Sequence, residues 1–273
     1  MDPVNIIGLL VPVTYFLFLL SEKLWPARQF PPRKGWQWIG IAFLVVIGTI
    51  SAVVPLLIPA PWLDAHRWLD STKLGVVGGT IVGFLVLETI TYAWHRSAHT
   101  FDILWRGFHQ MHHSPRRVDI PGSVVFHPLE MIVQVMLQLF ATVIVLGLDP
   151  LSAAIVGYLV AFNGFFQHWN VRTPQWLGYF IQRPESHCVH HRMGVHYYNY
   201  SDFPPWDMLF GTFRNPAKFM GDCGFEAEAD RKFGAMLAFQ DVNAPLYGPG
   251  NLGARPFAVA YSVANSVANP SAK

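Results

Sequence analysis

Eleven of the twelve histidines in the chain fall between His95 and His196, and eight of them form three short boxes. These are His95-Arg-Ser-Ala-His99, His109-Gln-Met-His112-His113 and His187-Cys-Val-His190-His191. Histidine holds divalent transition metals through the lone pair of a neutral ring nitrogen. On a helix, the i, i+4 spacing of the first box puts both rings on one face. The second and third boxes use i, i+3, i+4, so each is expected to present its rings on one face, and three such faces can converge on one pocket. A tetrahedral zinc takes only four protein ligands, so eight histidines imply two metals. Imidazole chemistry alone permits Zn, Cu, Fe or Ni, and zinc lies above ferrous iron in the general affinity order, so purified protein can carry zinc.

Other residues stand close enough in sequence to join the site. His168, in Gln167-His168-Trp169-Asn170, is taken as a ninth ligand candidate. His127, in Phe-His-Pro-Leu-Glu, is open between ligand and hydrogen-bonding partner, and so is His196 beside the third box. Ligating imidazoles usually give their second N–H to a carboxylate or carbonyl. The nearby acids are Asp102, Asp119, Glu130, Glu185, Asp202 and Asp207, among which the sequence does not choose; Asp207 is carried as a candidate supporting residue. Glu88 precedes His95 by seven residues on the same helical face, about 10 Å away along the axis. It is too far to ligate with the first box. An intramembrane carboxylate is a functional candidate by default, and Glu88 is open between the inner end of a substrate cavity and a helix-packing role. His66 is set aside, because it falls on the opposite side of the membrane.

Long apolar segments must position these boxes. About 20 apolar residues cross a bilayer, and five runs approach that: Val4 to Leu20, Gln37 to Ile58, Leu74 to Trp94, Leu129 to Leu146 and Leu151 to Trp169. The last two are separated only by Gly147-Leu148-Asp149-Pro150 and form a tight helical hairpin. Lysine and arginine cluster after the first run (Lys23, Arg28, Arg33, Lys34), after the third (Arg96, Arg106, Arg116, Arg117) and beyond Trp169, while the hairpin turn has none. The positive-inside rule then runs the odd-numbered helices toward the cytosol, with the N-terminus outside and all three boxes on the cytosolic face. Trp176, Tyr179 and Phe180, next to Arg183, suit a short interfacial helix. Asn199 to Phe213 is rich in aromatics and broken by Pro204-Pro205, as expected of a folded cap under the boxes.

Composition agrees with a membrane setting: 52% hydrophobic and only 13% charged, against roughly 25% charged in soluble domains. A net charge of +2 without a lysine-rich tract argues against nucleic acid. Cys188 and Cys223 form no CxxC pair, which fits reduced thiols. Met1-Asp2-Pro3 lacks a basic leader region, so the first apolar run is expected to stay as a membrane helix.

The order HxxxH, HxxHH, HxxHH between paired membrane helices resembles the fatty acid hydroxylase/sterol desaturase superfamily of integral-membrane di-iron oxygenases. His127-Pro128-Leu129-Glu130, His168-Trp169-Asn170-Val171, Asn199-Tyr200 and Trp206-Asp207-Met208-Leu209-Phe210-Gly211-Thr212-Phe213 are similar to that family's flanking pattern, and the likeness covers roughly residues 81 to 213. The resemblance implies that the eight box histidines, with His168 in addition, hold two iron ions. It also implies that O2 is the co-substrate and that an unactivated C–H bond of a lipid is hydroxylated or desaturated. No heme-binding His-Pro-Gly-Gly or flavin fingerprint is present, so electrons are expected from a separate donor such as a ferredoxin, cytochrome b5 or a similar reductase system.

The expected fold is therefore an all-α integral membrane protein of about four to five transmembrane helices, with a cytosolic histidine-rich helical cap holding a dinuclear metal site. Residues 1–73 would form N-terminal transmembrane helices and loops, 74–213 the histidine-box region, and 214–273 a cytosolic tail, partly disordered. The expected activity is lipid oxygenation, with a sterol, fatty acyl chain, ether lipid or carotenoid as substrate. The alternative is a zinc-dependent membrane hydrolase, although no HExxH supplies its base, and a non-catalytic metal transporter would need ligands deeper in the bilayer.

Overall fold

The computed structural model describes residues 2–195 and 197–243. Its described residues form helices and loops with no strand beyond one isolated bridge between Arg192 and Cys223. Among the described residues, five helical segments are long and apolar enough to cross a membrane: Pro3–Leu24, Trp36–Leu57, Thr72–Thr100, Pro128–Val145 and Pro150–His168. The chain is an integral membrane protein by this measure. Their α-helical parts are α1 (Pro3–Leu24), α2 (Trp36–Val53), α3 (Gly75–Thr100), α4 (Pro128–Leu139) and α5 (Pro150–His168).

Local chemistry sets several of their ends. Asp2, His127 and Asp149 each precede a proline and accept a hydrogen bond from the backbone two residues on, at 3.1, 3.1 and 2.9 Å. A cap followed by proline at the first helical position satisfies an orphan N–H and starts the helix where proline's missing donor costs nothing. α4 ends in a π turn, Phe140–Val145, after which Gly147 (φ +56°) reverses the chain into α5. α3 and α5 pack closely because Gly79 and Gly83 are one turn apart on the same face. A Cβ on Gly79 would lie 2.9 Å from Ser152 Oγ, and one on Gly83 2.9 Å from Val156 Cγ2. Small residues at this spacing let membrane helices approach. Leu17, Val77 and Ile81 are exposed on the outside of the bundle, which in a bilayer is the lipid-facing surface.

The ends of α1, α3 and α5 and the starts of α2 and α4 meet at one end of the bundle. Glu22, at the end of α1, accepts from the amides of Ile120 (3.1 Å) and Asn170 (3.3 Å). Trp36, opening α2, gives its indole N–H to Asp119 at 3.0 Å. On this base lies the cap: the segment 101–127, the helix α6 (Pro184–His190) and the loop from Tyr197 through α7 (Pro205–Leu209) to Arg231. The stretch expected to form an interfacial helix is a 3-10 turn, Gln175–Tyr179, with Trp176 and Phe180 exposed. Arg183 turns inward instead of lying at a surface. It is fully buried, pairs with Glu185 at 3.0 Å and donates to Asn215 Oδ1 at 2.7 Å and Thr173 O at 2.8 Å.

Candidate metal centre

The first box is the last two turns of α3, so His95 and His99 project from a membrane helix into the cap. The second follows a π turn, Trp105–His109, that runs into the short helix Gln110–His113. The third is α6 with His191 just beyond its end. His168 is the last residue of α5. These elements bring nine histidines into two groups. One contains His95, His99, His109, His113 and His190; the other contains His112, His168, His187 and His191. Within each group, one ring nitrogen per residue lies within 4.8 Å of all the others. The groups share a wall, where the rings of His113 and His191 stack with centroids 4.1 Å apart.

The boxes, expected from their spacing to converge on one pocket, divide their rings between two adjoining groups. The second box sends His109 and His113 to the larger group and His112 to the smaller. The third box does the reverse, sending His187 and His191 to the smaller group and His190 to the larger. The first box adds two rings to the larger group and His168 one to the smaller.

The hydrogen bonds around the rings prepare them for metal. His109 Nδ1 donates to Glu130 Oε1 (2.6 Å), His95 Nδ1 to Tyr200 O (2.5 Å), His190 Nδ1 to Tyr198 O (2.7 Å) and His168 Nδ1 to Gly164 O (2.8 Å). Because carbonyls and ionised carboxylates only accept, these bonds assign the proton to Nδ1 at His95, His168 and His190, and at His109 when Glu130 is ionised, and leave the Nε2 lone pair facing inward. Among the described residues, His95 Nε2 and both ring nitrogens of His191 are buried without a hydrogen-bond partner. Facing Nε2 atoms lie 3.1 Å apart in His109 and His113, and 3.3 Å apart in His168 and His187. Two nitrogens bound about 2.1 Å from one ion, at ordinary tetrahedral or octahedral angles, would be separated by about 3.0–3.4 Å. The residues present therefore fit a pair of imidazole-bound metals. Burial also keeps the rings neutral: it pushes His109 down to about 3 and, helped by neighbouring imidazoles, holds His112, His113, His187 and His191 well below the usual histidine range.

One loop supplies two of the carbonyl acceptors. Asn199 adopts φ +56°, a left-handed conformation that asparagine tolerates better than most residues. Its side chain fixes that conformation by donating to Ser186 O (2.8 Å) and accepting from the amide of Arg214 (2.7 Å). The carbonyls on either side of it, of Tyr198 and Tyr200, are those that meet His190 and His95. Asp207 holds the same loop from behind, accepting from the amides of Tyr200 and Ser201 at 2.9 Å each and from Thr212 Oγ1 at 2.6 Å. Burial raises its carboxyl, and these donors oppose that shift.

Of the acids considered from sequence, Glu130 alone bonds a box histidine directly among the contacts described. Asp119 accepts from Trp36 and the Gly122 amide, Glu185 binds Thr173 and Arg183, and Asp102 pairs with Arg106. Asp202 accepts from Gln167 Nε2 at 2.7 Å; Gln167 in turn meets Gln182, whose amide lies 3.3 Å from His187 Nδ1. The two glutamines carried no signal in the sequence. Glu88 is buried, and its Oε2 accepts from the Phe203 amide (3.1 Å) and Ser201 Oγ (3.4 Å), so it ties α3 to the loop. His127 belongs to neither group; its Nδ1 caps α4. His66 is exposed and stacks on Trp62. His196 and the expected C-terminal tail beyond residue 243 lie outside the described residues. Cys188 and Cys223 are free thiols, both buried.

An apolar groove of about 470 Å³ opens between α3 and the loop of the cap, its nearest α3 residue, Thr89, about 9 Å along the helix from His95. Leu85, Val86 and Thr89 of α3 form one wall, and Phe203, Pro205, Trp206 and Leu209 form the other. Glu88, bonded to the Phe203 amide, fixes the second wall against the first.

Comparison with known proteins places this geometry in context. Residues 80–212, which contain all nine histidines, match the model of the fatty acid hydroxylase family. The chain is 31% identical over 207 residues to the ornithine lipid hydroxylase OlsE of Rhizobium tropici, an alignment covering 73% of this chain and 59% of that protein. It is 27% identical over 160 residues to an alkylglycerol monooxygenase of Danio rerio (56% and 32% covered). It is 24% identical over 217 residues to a putative Delta(7)-sterol-C5(6)-desaturase 2 of Arabidopsis thaliana (74% and 73% covered). The chain thus spans less than two thirds of the first two relatives. No solved structure matches it. Through residues 80–212, the chain belongs to the fatty acid hydroxylase family.

Proposed function

We propose that this chain is an O2-dependent membrane oxygenase that holds two iron ions and inserts oxygen at, or removes two hydrogens from, an unactivated C–H bond of a lipid. The observation that carries the reading is the pair of adjacent, buried histidine groups at the end of a membrane bundle. His95, His99, His109, His113 and His190 would hold one ion, and His112, His168, His187 and His191 the other. The metals, when bound, supply activation of O2. The remaining work falls to the protein. Glu130 and the carbonyls of Tyr198, Tyr200 and Gly164 keep Nδ1 protonated and each ring aimed inward. Desolvation keeps the imidazoles neutral, as ligation requires. The groove, open at the depth of α3, admits a chain from the bilayer without passing it through water.

The named activities of the relatives support a lipid substrate, and two of the three are named for oxygen insertion, so hydroxylation of a polar acyl or ether lipid is the favoured form. The distribution of lysine and arginine supports a cytosol-facing centre, where a separate soluble electron donor would reach it. The test is mass spectrometry of membrane lipids incubated with iron-loaded protein, O2 and a reductant. A gain of one oxygen or loss of two hydrogens is expected, abolished in His112→Ala or His190→Ala protein. Turnover retained with both changes would refute the reading, and turnover without O2 or reductant would favour a hydrolase.

A further inference from the structure

A second, chemically different pocket lies away from the histidines. It is a cavity of about 50 Å³ walled by three segments: Pro31 to Arg33 between α1 and α2, Arg116 and Arg117 after the second box, and Ala227, Asp230 and Arg231. Four guanidinium groups meet there. Two are committed, Arg117 and Arg33, and a third, Arg231, is only loosely paired. Arg117 donates to Pro31 O at 2.8 Å and pairs with Asp119 at 3.4 Å. Arg33 donates to Asp230 O at 3.3 Å and lies 3.9 Å from its carboxylate, with its own plane over Trp36 and Phe233. Arg231 reaches the same carboxylate at 3.7 Å from an exposed position. Arg116 acts on the Asp230 carboxylate through its charge, but among the described residues it makes no ion pair or hydrogen bond, and its Nε is buried.

Four positive groups against Asp230 and Asp119 leave an excess of two charges, and a buried N–H lacks an acceptor. A buried donor without a partner is costly, and a planar fork of N–H groups matches the oxygens of a phosphate or carboxylate. The cavity exceeds the space one water needs but is far too small for an acyl chain. Its depth separates the sources of such an anion. Trp25, just past α1, and Trp38, in the first turn of α2, are 68% and 74% exposed on the outside of the bundle. Outward tryptophans at helix ends mark the membrane–water interface. Arg33 is three residues before α2 begins, so the pocket lies within about 10 Å of that level, where headgroup phosphates sit.

We propose that this pocket binds the phosphate of an anionic phospholipid, held by the guanidinium groups of Arg116 and Arg231 against the fixed wall of Arg33 and Arg117. The site is separate from the histidine groups and does not depend on the reaction assigned to them. The experiment uses the full chain in an uncharged detergent. Phosphatidylglycerol and phosphatidylcholine are titrated, with binding read by native mass spectrometry and by the thermal midpoint. Phosphatidylglycerol should bind in preference, and the Arg116→Gln/Arg231→Gln variant should weaken that binding about 30-fold, the loss of two interfacial arginines. Arg231→Gln alone, at an exposed side chain, is expected to fold normally and to show part of the loss. Arg116→Lys, which keeps charge without the fork, should not restore full affinity. Equal phosphatidylglycerol binding by wild type and double variant would overturn the proposal. Displacement of the lipid by millimolar inorganic phosphate would reassign the pocket to a free anion, and preferential Arg116-dependent binding of polyglutamate would reassign it to an acidic protein. Either result overturns the lipid source.

Discussion

Glu130 offers the sharpest test of how the centre is held. It stands in the first turn of α4, buried, with Oε1 2.6 Å from His109 Nδ1. Replacing it with glutamine keeps shape and an acceptor but removes the charge that makes His109 a stronger donor to metal. Loss of such a supporting group typically lowers metal affinity about 10–100-fold, which is about 1.4–2.7 kcal/mol. Only the larger group contains His109, so only one of two metal equivalents should become easier to strip. Glu130→Ala adds a second effect, because the Nδ1–H then lacks an acceptor in a buried space, costing about 1–3 kcal/mol even without metal. The assay is chelator competition with metal content read at each step, alongside thermal unfolding of the metal-free protein. Glutamine should shift the chelator midpoint of one equivalent and leave metal-free unfolding nearly unchanged; alanine should change both. A Glu130→Gln protein in which both equivalents shift together, or neither shifts, would refute the division into a carboxylate-supported group and a carboxylate-free one.

The exchange of rings between boxes predicts that His190→Ala weakens the same equivalent as His95→Ala, while His187→Ala weakens the other; this can be read by metal stoichiometry, and identical behaviour of His187→Ala and His190→Ala would contradict it. The metal-free protein should lose stability on acidification. His109 titrates near 6.5 when unfolded but is depressed to about 3 by burial, so the unfolded chain takes up the proton first. Its contribution is then complete above about pH 6.5 and lost as pH falls toward about 3. Thermal midpoints measured between about pH 7 and pH 4 should fall, and a flat profile would mean that the rings are not buried neutral. Filling the groove with Val86→Trp should raise KM for the lipid with little effect on metal content, and an unchanged KM would remove the groove from the substrate path.

The boxes and the membrane helices were legible for different reasons. Histidine is rare enough, and helical periodicity strict enough, that His95/His99 and the two HxxHH runs announce a metal site without a fold. Hydropathy marks the five spans because each must bury its own backbone bonds in lipid. What remained hidden lies mostly in the backbone. The carbonyls of Tyr198, Tyr200 and Gly164 orient three rings, and a carbonyl has no residue type to betray it. Glu130 could be placed only within a list of six acids, because its pairing depends on the angle at which α4 leaves the cap. Arg183 followed aromatic neighbours that suited an interface, yet Glu185, Asn215 and Thr173 converge to take it inward, a long-range outcome that local composition cannot carry.

The i, i+3, i+4 spacing has a geometric consequence that accounts for the split of the boxes. At about 100° per residue, residue i+4 lies about 40° to one side of i, and i+3 about 60° to the other. The three rings therefore span an arc of about 100°, wide enough to reach two adjacent ring groups rather than one. His109 and His113 form the narrow pair and His112 the outlier; His187 and His191 form the narrow pair facing them and His190 its outlier. Two such forks, turned toward each other, give three rings to each group. An HxxxH box, whose arc is only the narrow 40°, can add to one group alone, and His95 and His99 both join the larger. The smaller group can then exceed three only by drawing on a residue outside the boxes. His168, ending α5 with its Nε2 3.3 Å from that of His187, is the residue placed to supply it.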